Sequence, residues 1–143
     1  MARAMGLDVG DSRIGVALSD PLGILASPLT IISRSDVEAD FAAILALARE
    51  REVENIVIGL PRNMDGSEGG QAAKVRDFAA GLGRRTDLPI VFEDERLSTV
   101  EAARLFREAG KTSRGLRYDA AAAAVILQAY LDENAPRPEP PPG

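Results

Sequence analysis

Apolar positions along this chain fall into five short runs and four helical stripes. Met5–Val9 and Ile14–Leu18 are apolar runs separated by Gly10-Asp11-Ser12, the pattern of a β-hairpin. A turn at Pro21-Leu22-Gly23 and the pair Ser27-Pro28 lead to a third short strand, Leu29–Ile32. Ser33 to Asp36 offer N-cap residues to a first helix, whose Phe41, Ile44, Leu45, Leu47 and Ala48 recur at helical spacing. Asn55–Gly59 is a continuous β-branched run, as expected of a strand buried on both faces. Ala72, Val75, Phe78, Ala79 and Leu82 mark a second helix closed by Gly83, and Pro89–Phe92 a fifth strand. Ser98 or Thr99 caps a third helix reaching Ala109, and Gly110 to Gly115 reads as a basic, mobile loop. Asp119 opens a last helix, Ala120–Leu131, apolar nearly all round and so buried on most sides.

The order β-β-β-α-β-α-β-α-α predicts an α/β fold with a mixed five-stranded sheet. Its first three strands are antiparallel, the later ones are joined by helices, and helices cover both faces. A right-handed crossover after the first helix sets the fourth strand beside the first. The first strand is then central, with Asp8 inside it. A carboxylate within core material is costly unless it is paired or bound to a cation.

Composition narrows the chemistry. The 143 residues read as one domain over 1–134 and a disordered proline-rich tail over 135–143. No apolar run is long enough to span a membrane, and an acid follows the N-terminus too soon for a secretory signal, so a cytoplasmic protein is expected. With neither cysteine nor histidine in the chain, a Ser-His-Asp triad, a Cys-His pair and a thiolate or imidazole zinc site are excluded. Hydrolysis would have to use carboxylates, Lys, Tyr, hydroxyls or a hard cation held by oxygen. The net charge of −5 is unevenly spread: Arg96, Arg104, Arg107, Lys111, Arg114 and Arg117 gather in residues 96–118, a patch suited to phosphate.

Three acidic sites stand at ends of predicted elements: Asp8, the run Glu93-Asp94-Glu95, and Asp119. Converging carboxylates repel unless a divalent cation neutralises them, and Mg²⁺ or Mn²⁺ suits such sites. Each acid has a plainer role, Asp8 as a solvated edge acid, Asp119 as a helix cap and the Glu93–Glu95 run as solvent-facing charge. Alternation puts Glu93 and Glu95 on one side of a strand and Asp94 on the other. Arg62 and Asn63 belong to a loop at a strand's carboxyl end, where they meet substrate or only shape the turn.

The segments Gly6-Leu-Asp8-Val-Gly10, Ile14–Asp20, Ile56–Ser67, Asp94-Glu-Arg-Leu-Ser-Thr99 and Asp119 with its alanine-rich continuation resemble the YqgF/RuvX family. The resemblance runs to about Asn134. It implies an RNase H-like fold and a metal-dependent nuclease with Asp8, Glu95 and Asp119 as its carboxylates. It also implies structured nucleic acid as the partner, either precursor 16S rRNA matured at its 5′ end or branched DNA resolved at a Holliday junction. Arg62, Asn63, Arg96 and the basic residues to Arg117 would then meet substrate. A non-catalytic RNA-binding assembly factor is a further alternative, and homodimerisation is left open. Asp8-Val-Gly-Asp-Ser12 also resembles the phosphate hairpin of actin-like and sugar kinases. Those enzymes need a second lobe, for which one domain has no room.

Overall fold

The computed structural model describes residues 3–63, 65–94 and 115–134, and for 115–119 the backbone alone. Five strands, β1 (Arg3–Val9), β2 (Arg13–Ser19), β3 (Ala26–Ser33), β4 (Val53–Leu60) and β5 (Ile90–Asp94), form one sheet in the order β3-β2-β1-β4-β5. β1–β2 and β2–β3 pair antiparallel, whereas β1–β4 and β4–β5 pair parallel. The expected mixed sheet with β1 at its centre is therefore what forms. The third helix expected over 98–109, the loop 110–114 and the tail 135–143 lie outside the described residues.

Helices α1 (Val37–Glu50) and α2 (Gly70–Gly83) cover one face, and α3 (Gly115–Glu133) the other. Asp36 caps α1, accepting from the Ala39 N–H at 2.8 Å, with Glu38 and Asp40 in the first turn and Arg49 in the last, the charge order that the helix dipole favours. Met5, Leu7 and Val9 of β1 pack under α1 and α2 with Ile14, Val16, Ile56 and Ile58, around the paired rings of Phe41 and Phe78, 5.0 Å apart. Alternation sends Ala4 and Gly6 the other way, towards α3.

That second face is built from small residues. Ala4, Ala17 and Val57 meet Ala123, Ala124, Ile126, Leu127 and Leu131. A Cβ placed on Gly6 would stand 2.7 Å from the Leu127 Cβ and 2.9 Å from the Ala123 carbonyl oxygen, so helix backbone and strand are in direct contact. Gln128 ties α3 to the start of β3, accepting from Ala26 N–H at 2.9 Å and donating to the Ile24 carbonyl at 2.9 Å. The Asn55 amide donates to the Tyr130 hydroxyl at 3.2 Å and secures the β4 side. The helix begins at Gly115, four residues ahead of the expected start at Asp119, so Asp119 lies inside it and is not its N-cap. No helix among the described residues is long and apolar enough to cross a membrane.

Gly6→Ala is expected to lower stability by about 2 kcal/mol in chemical denaturation, because the obstructing carbonyl belongs to helix backbone and cannot rotate away. Gly70→Ala, where an added Cβ meets nothing within 4 Å, is expected to leave stability unchanged or slightly raised.

Candidate active site on the α3 face

Asp8 lies between two inward-packed residues, Leu7 and Val9, so its side chain points to the α3 face. It pairs across the hairpin with Gly15. On its other side the parallel register, Leu7 opposite Ile58, brings Gly59 level with it one step on. Gly15 and Gly59 belong to the same face, since Ala17 and Val57 two residues away pack against α3. A half-buried carboxylate in the central strand thus has a buried glycine on each flank, so neither neighbouring strand sets a side chain beside it on this face.

Gly59 in turn pairs with Glu93 of β5. β5 extends through Asp94, two residues past the expected end at Phe92. Glu93 is therefore strand, not the start of a loop. Val91 packs against the α3 cluster, and Glu93 shares its face. Asp8, Gly59 and Glu93 form a row across three strands, and the two acids stand about 10 Å apart by strand spacing. Glu93 is only 4% exposed, so the first acid of the run Glu93–Glu95 is not solvated. Burial pushes its carboxyl up to about 7, and hydrogen bonding to Glu133 of α3 with the nearby charges of Glu133 and Asp94 adds to the rise. Only the alternation Val91–Glu93 in the sequence could have signalled this inward acid.

Glu95, Arg96, Arg104, Arg107, Lys111 and Arg114 lie outside the described residues, as do the side chains of Arg117 and Asp119. The backbone of Asp119 lies in α3 one turn before Ala123, the residue that touches Gly6. Among the described residues no three acids converge as a metal-ligating group. Asp8 itself fits a hard divalent cation, being an anionic oxygen donor between two glycines.

The loop after β4 opens beside this row. Its shape is internal: Asn63 donates from its amide to the Ser67 hydroxyl at 2.9 Å and from its backbone to the Ser67 carbonyl at 2.8 Å. Asp65 accepts from the Ser67 N–H at 2.9 Å and hydroxyl at 2.6 Å. Arg76 of α2 holds Glu68 through two hydrogen bonds of 2.6 and 2.7 Å while stacking over Phe92. Arg62 stands 4.0 Å from Glu68, and since Arg76 already takes both carboxylate oxygens, its guanidinium is the more loosely held.

A carboxyl raised in the folded state binds its proton more tightly there than in the unfolded chain. The stability this gives is full below about 4.5 and is lost as pH rises through about 7. In metal-free protein, Glu93→Gln is expected to remove roughly 2 kcal/mol of the stability lost between about pH 5 and pH 8, read from urea unfolding at both pH values.

A family model described as RuvX, Holliday junction resolvase, matches residues 2–133. A Moorella thermoacetica protein named "Putative pre-16S rRNA nuclease" is 54% identical over 132 residues, 91% of this chain and 94% of its own. A protein of the same name from an Anaeromyxobacter species is 52% identical over 132 residues, 91% of this chain and 96% of its own. Among solved structures, T. thermophilus RuvC in complex with a Holliday junction substrate superposes with a TM-score of 0.59 at 15% identity, covering 93% of this chain and 95% of that one. The fowlpox virus resolvase in complex with Holliday junction DNA gives 0.59 at 8%, covering 94% and 99%. At such low identity these two likenesses speak for the fold alone, which is the RNase H-like fold of resolvases. Matched from residue 2 to residue 133, and about half identical to relatives over nearly their whole length, the chain belongs to the RuvX family.

Proposed function

We propose that this protein is a divalent-cation-dependent endonuclease that matures the 5′ end of precursor 16S rRNA in the cytoplasm. Family membership makes it a nuclease; the observation that carries the reading further is Asp8, half-buried in the central strand with glycines on both flanks. In this reading Asp8, Glu95 and Asp119 hold Mg²⁺ or Mn²⁺. The cation would make a water more acidic and neutralise charge building on the attacked phosphate. Arg62, Arg96, Arg104, Arg107, Lys111, Arg114 and Arg117 would grip the phosphate backbone, which supplies affinity without reading sequence. Asn63 acts through the loop it shapes. The curated relatives' shared name favours rRNA over DNA.

Resolution of a Holliday junction is the second reading, favoured by the family's description and by fold neighbours solved with junction DNA. Both substrates discriminate in one experiment. Purified protein with Mn²⁺ is expected to cleave precursor 16S rRNA at its 5′ side faster than a four-way DNA junction. Asp8→Asn is expected to lose at least about 100-fold of that rate, the scale on which removing a group used in the transition state acts. Faster junction cleavage would favour the second reading. If Asp8→Asn restored normal rRNA ends in cells lacking the protein, a non-catalytic assembly role would replace both.

A further inference from the structure

The turn that follows Asp8 is gripped by a residue distant in sequence. Arg34, just after β3, donates its backbone N–H to the Ser12 carbonyl at 2.9 Å, and its Nη1 donates to the Gly10 carbonyl at 2.9 Å. One residue therefore holds both ends of Gly10-Asp11-Ser12. Arg34 is itself fixed from two sides. Its Nε donates to Asp40 at 3.1 Å, and its guanidinium lies 5.1 Å over the Phe78 ring. Asp40 is buried at the start of α1 and also accepts from the Ser35 N–H at 3.2 Å. The turn is tight: the Gly10 N–H reaches the Arg13 carbonyl at 2.9 Å, and a Cβ on Gly10 would lie 2.9 Å from that oxygen. From α2 the turn receives Lys74, 3.6 Å from Asp11, a pair about two-thirds exposed on both sides and so weak.

We propose that Arg34 is a positioning residue for Asp8: its fork fixes the Gly10–Ser12 turn, and the turn fixes where the carboxyl end of β1 presents its acid. The inference rests on reading Asp8 as a group that acts on substrate. A half-buried cation whose work was only to neutralise Asp40 would not need the second arm on Gly10. Planar geometry is what allows one side chain to pair with Asp40, stack on Phe78 and reach a carbonyl together; a lysine ammonium keeps the charge but cannot span all three.

Arg34→Lys separates these roles, because it leaves Asp40 a cation and so preserves folding. Arg85→Lys is the control: Arg85 stacks over Phe41 and pairs with Glu38 in the same cleft of about 470 Å³ but does not touch the turn. Three measurements apply: circular dichroism for folding, amide exchange at Gly10 by NMR, and kcat and KM on precursor rRNA with Asp8→Asn in parallel. Arg34→Lys is expected to fold, to exchange Gly10 about 10-fold faster, and to lose at least about 10-fold in kcat with KM changed less than about twofold. Arg85→Lys is expected to match the wild type in exchange and kcat. Unchanged exchange at Gly10 in Arg34→Lys would overturn the clamp. Faster exchange with wild-type kcat would overturn the positioning role. Cleavage surviving in Asp8→Asn would instead refute the reading of the site, while the exchange data would still judge the clamp.

Discussion

The closeness of α3 to β1 sets the terms for everything on that face of the sheet. Where Gly6 meets Ala123 and Leu127 no side chain separates helix backbone from strand, and alanines along α3 keep the approach possible. Such contact maximises dispersion but leaves little space for a polar group. At the level of Asp8 the small-residue seam continues through Gly15 and Gly59, which flank the carboxylate without side chains of their own. The candidate site thus lies between two glycines at the end of a tightly packed seam. The opposite face is filled differently, by Leu, Ile, Val and the Phe41–Phe78 pair, and holds β1 from below.

Two buried acids, Asp40 beside the α1–α2 layer and Glu93 beside α3, are accommodated in different ways. Asp40 is balanced by Arg34 and a backbone N–H, so its charge is satisfied. Among the described residues no cation balances Glu93; its environment favours the protonated form and joins it to Glu133. A neutral Glu93 lets β5 and α3 approach without burying a charge. Asp8 sits between these cases, half-buried on the α3 side of the sheet.

Much of this was legible in the chain. The β-branched run Asn55–Gly59 announced a strand buried on both faces, Ser33–Asp36 offered the cap candidates of which Asp36 starts α1, and crossover handedness placed β4 beside β1. The start of α3 was not legible, because Gly115-Leu-Arg-Tyr carries neither a cap residue nor an apolar stripe, whereas Asp119 looks like a cap. The inward turn of Glu93 was hidden by its acidic neighbours, which make the run look solvated. Glycines flanking Asp8 come from β2 and β4, and the Arg34 clamp joins residues 24 apart, so both are products of tertiary pairing that no local pattern encodes. The family motifs pointed to Asp8, Glu95 and Asp119 from sequence; the structure shows the setting of Asp8.

The claim at the centre is that the Asp8 carboxylate, flanked by glycines in the central strands, receives a divalent cation. Crystals soaked in Mn²⁺ and measured at a wavelength where manganese scatters anomalously test it directly. The account predicts an anomalous peak within coordination distance of the Asp8 carboxylate, on the α3 side of the sheet, that is lost in Asp8→Asn. A peak confined to the α1–α2 cleft, or one at Asp8 that survives the substitution, would contradict it.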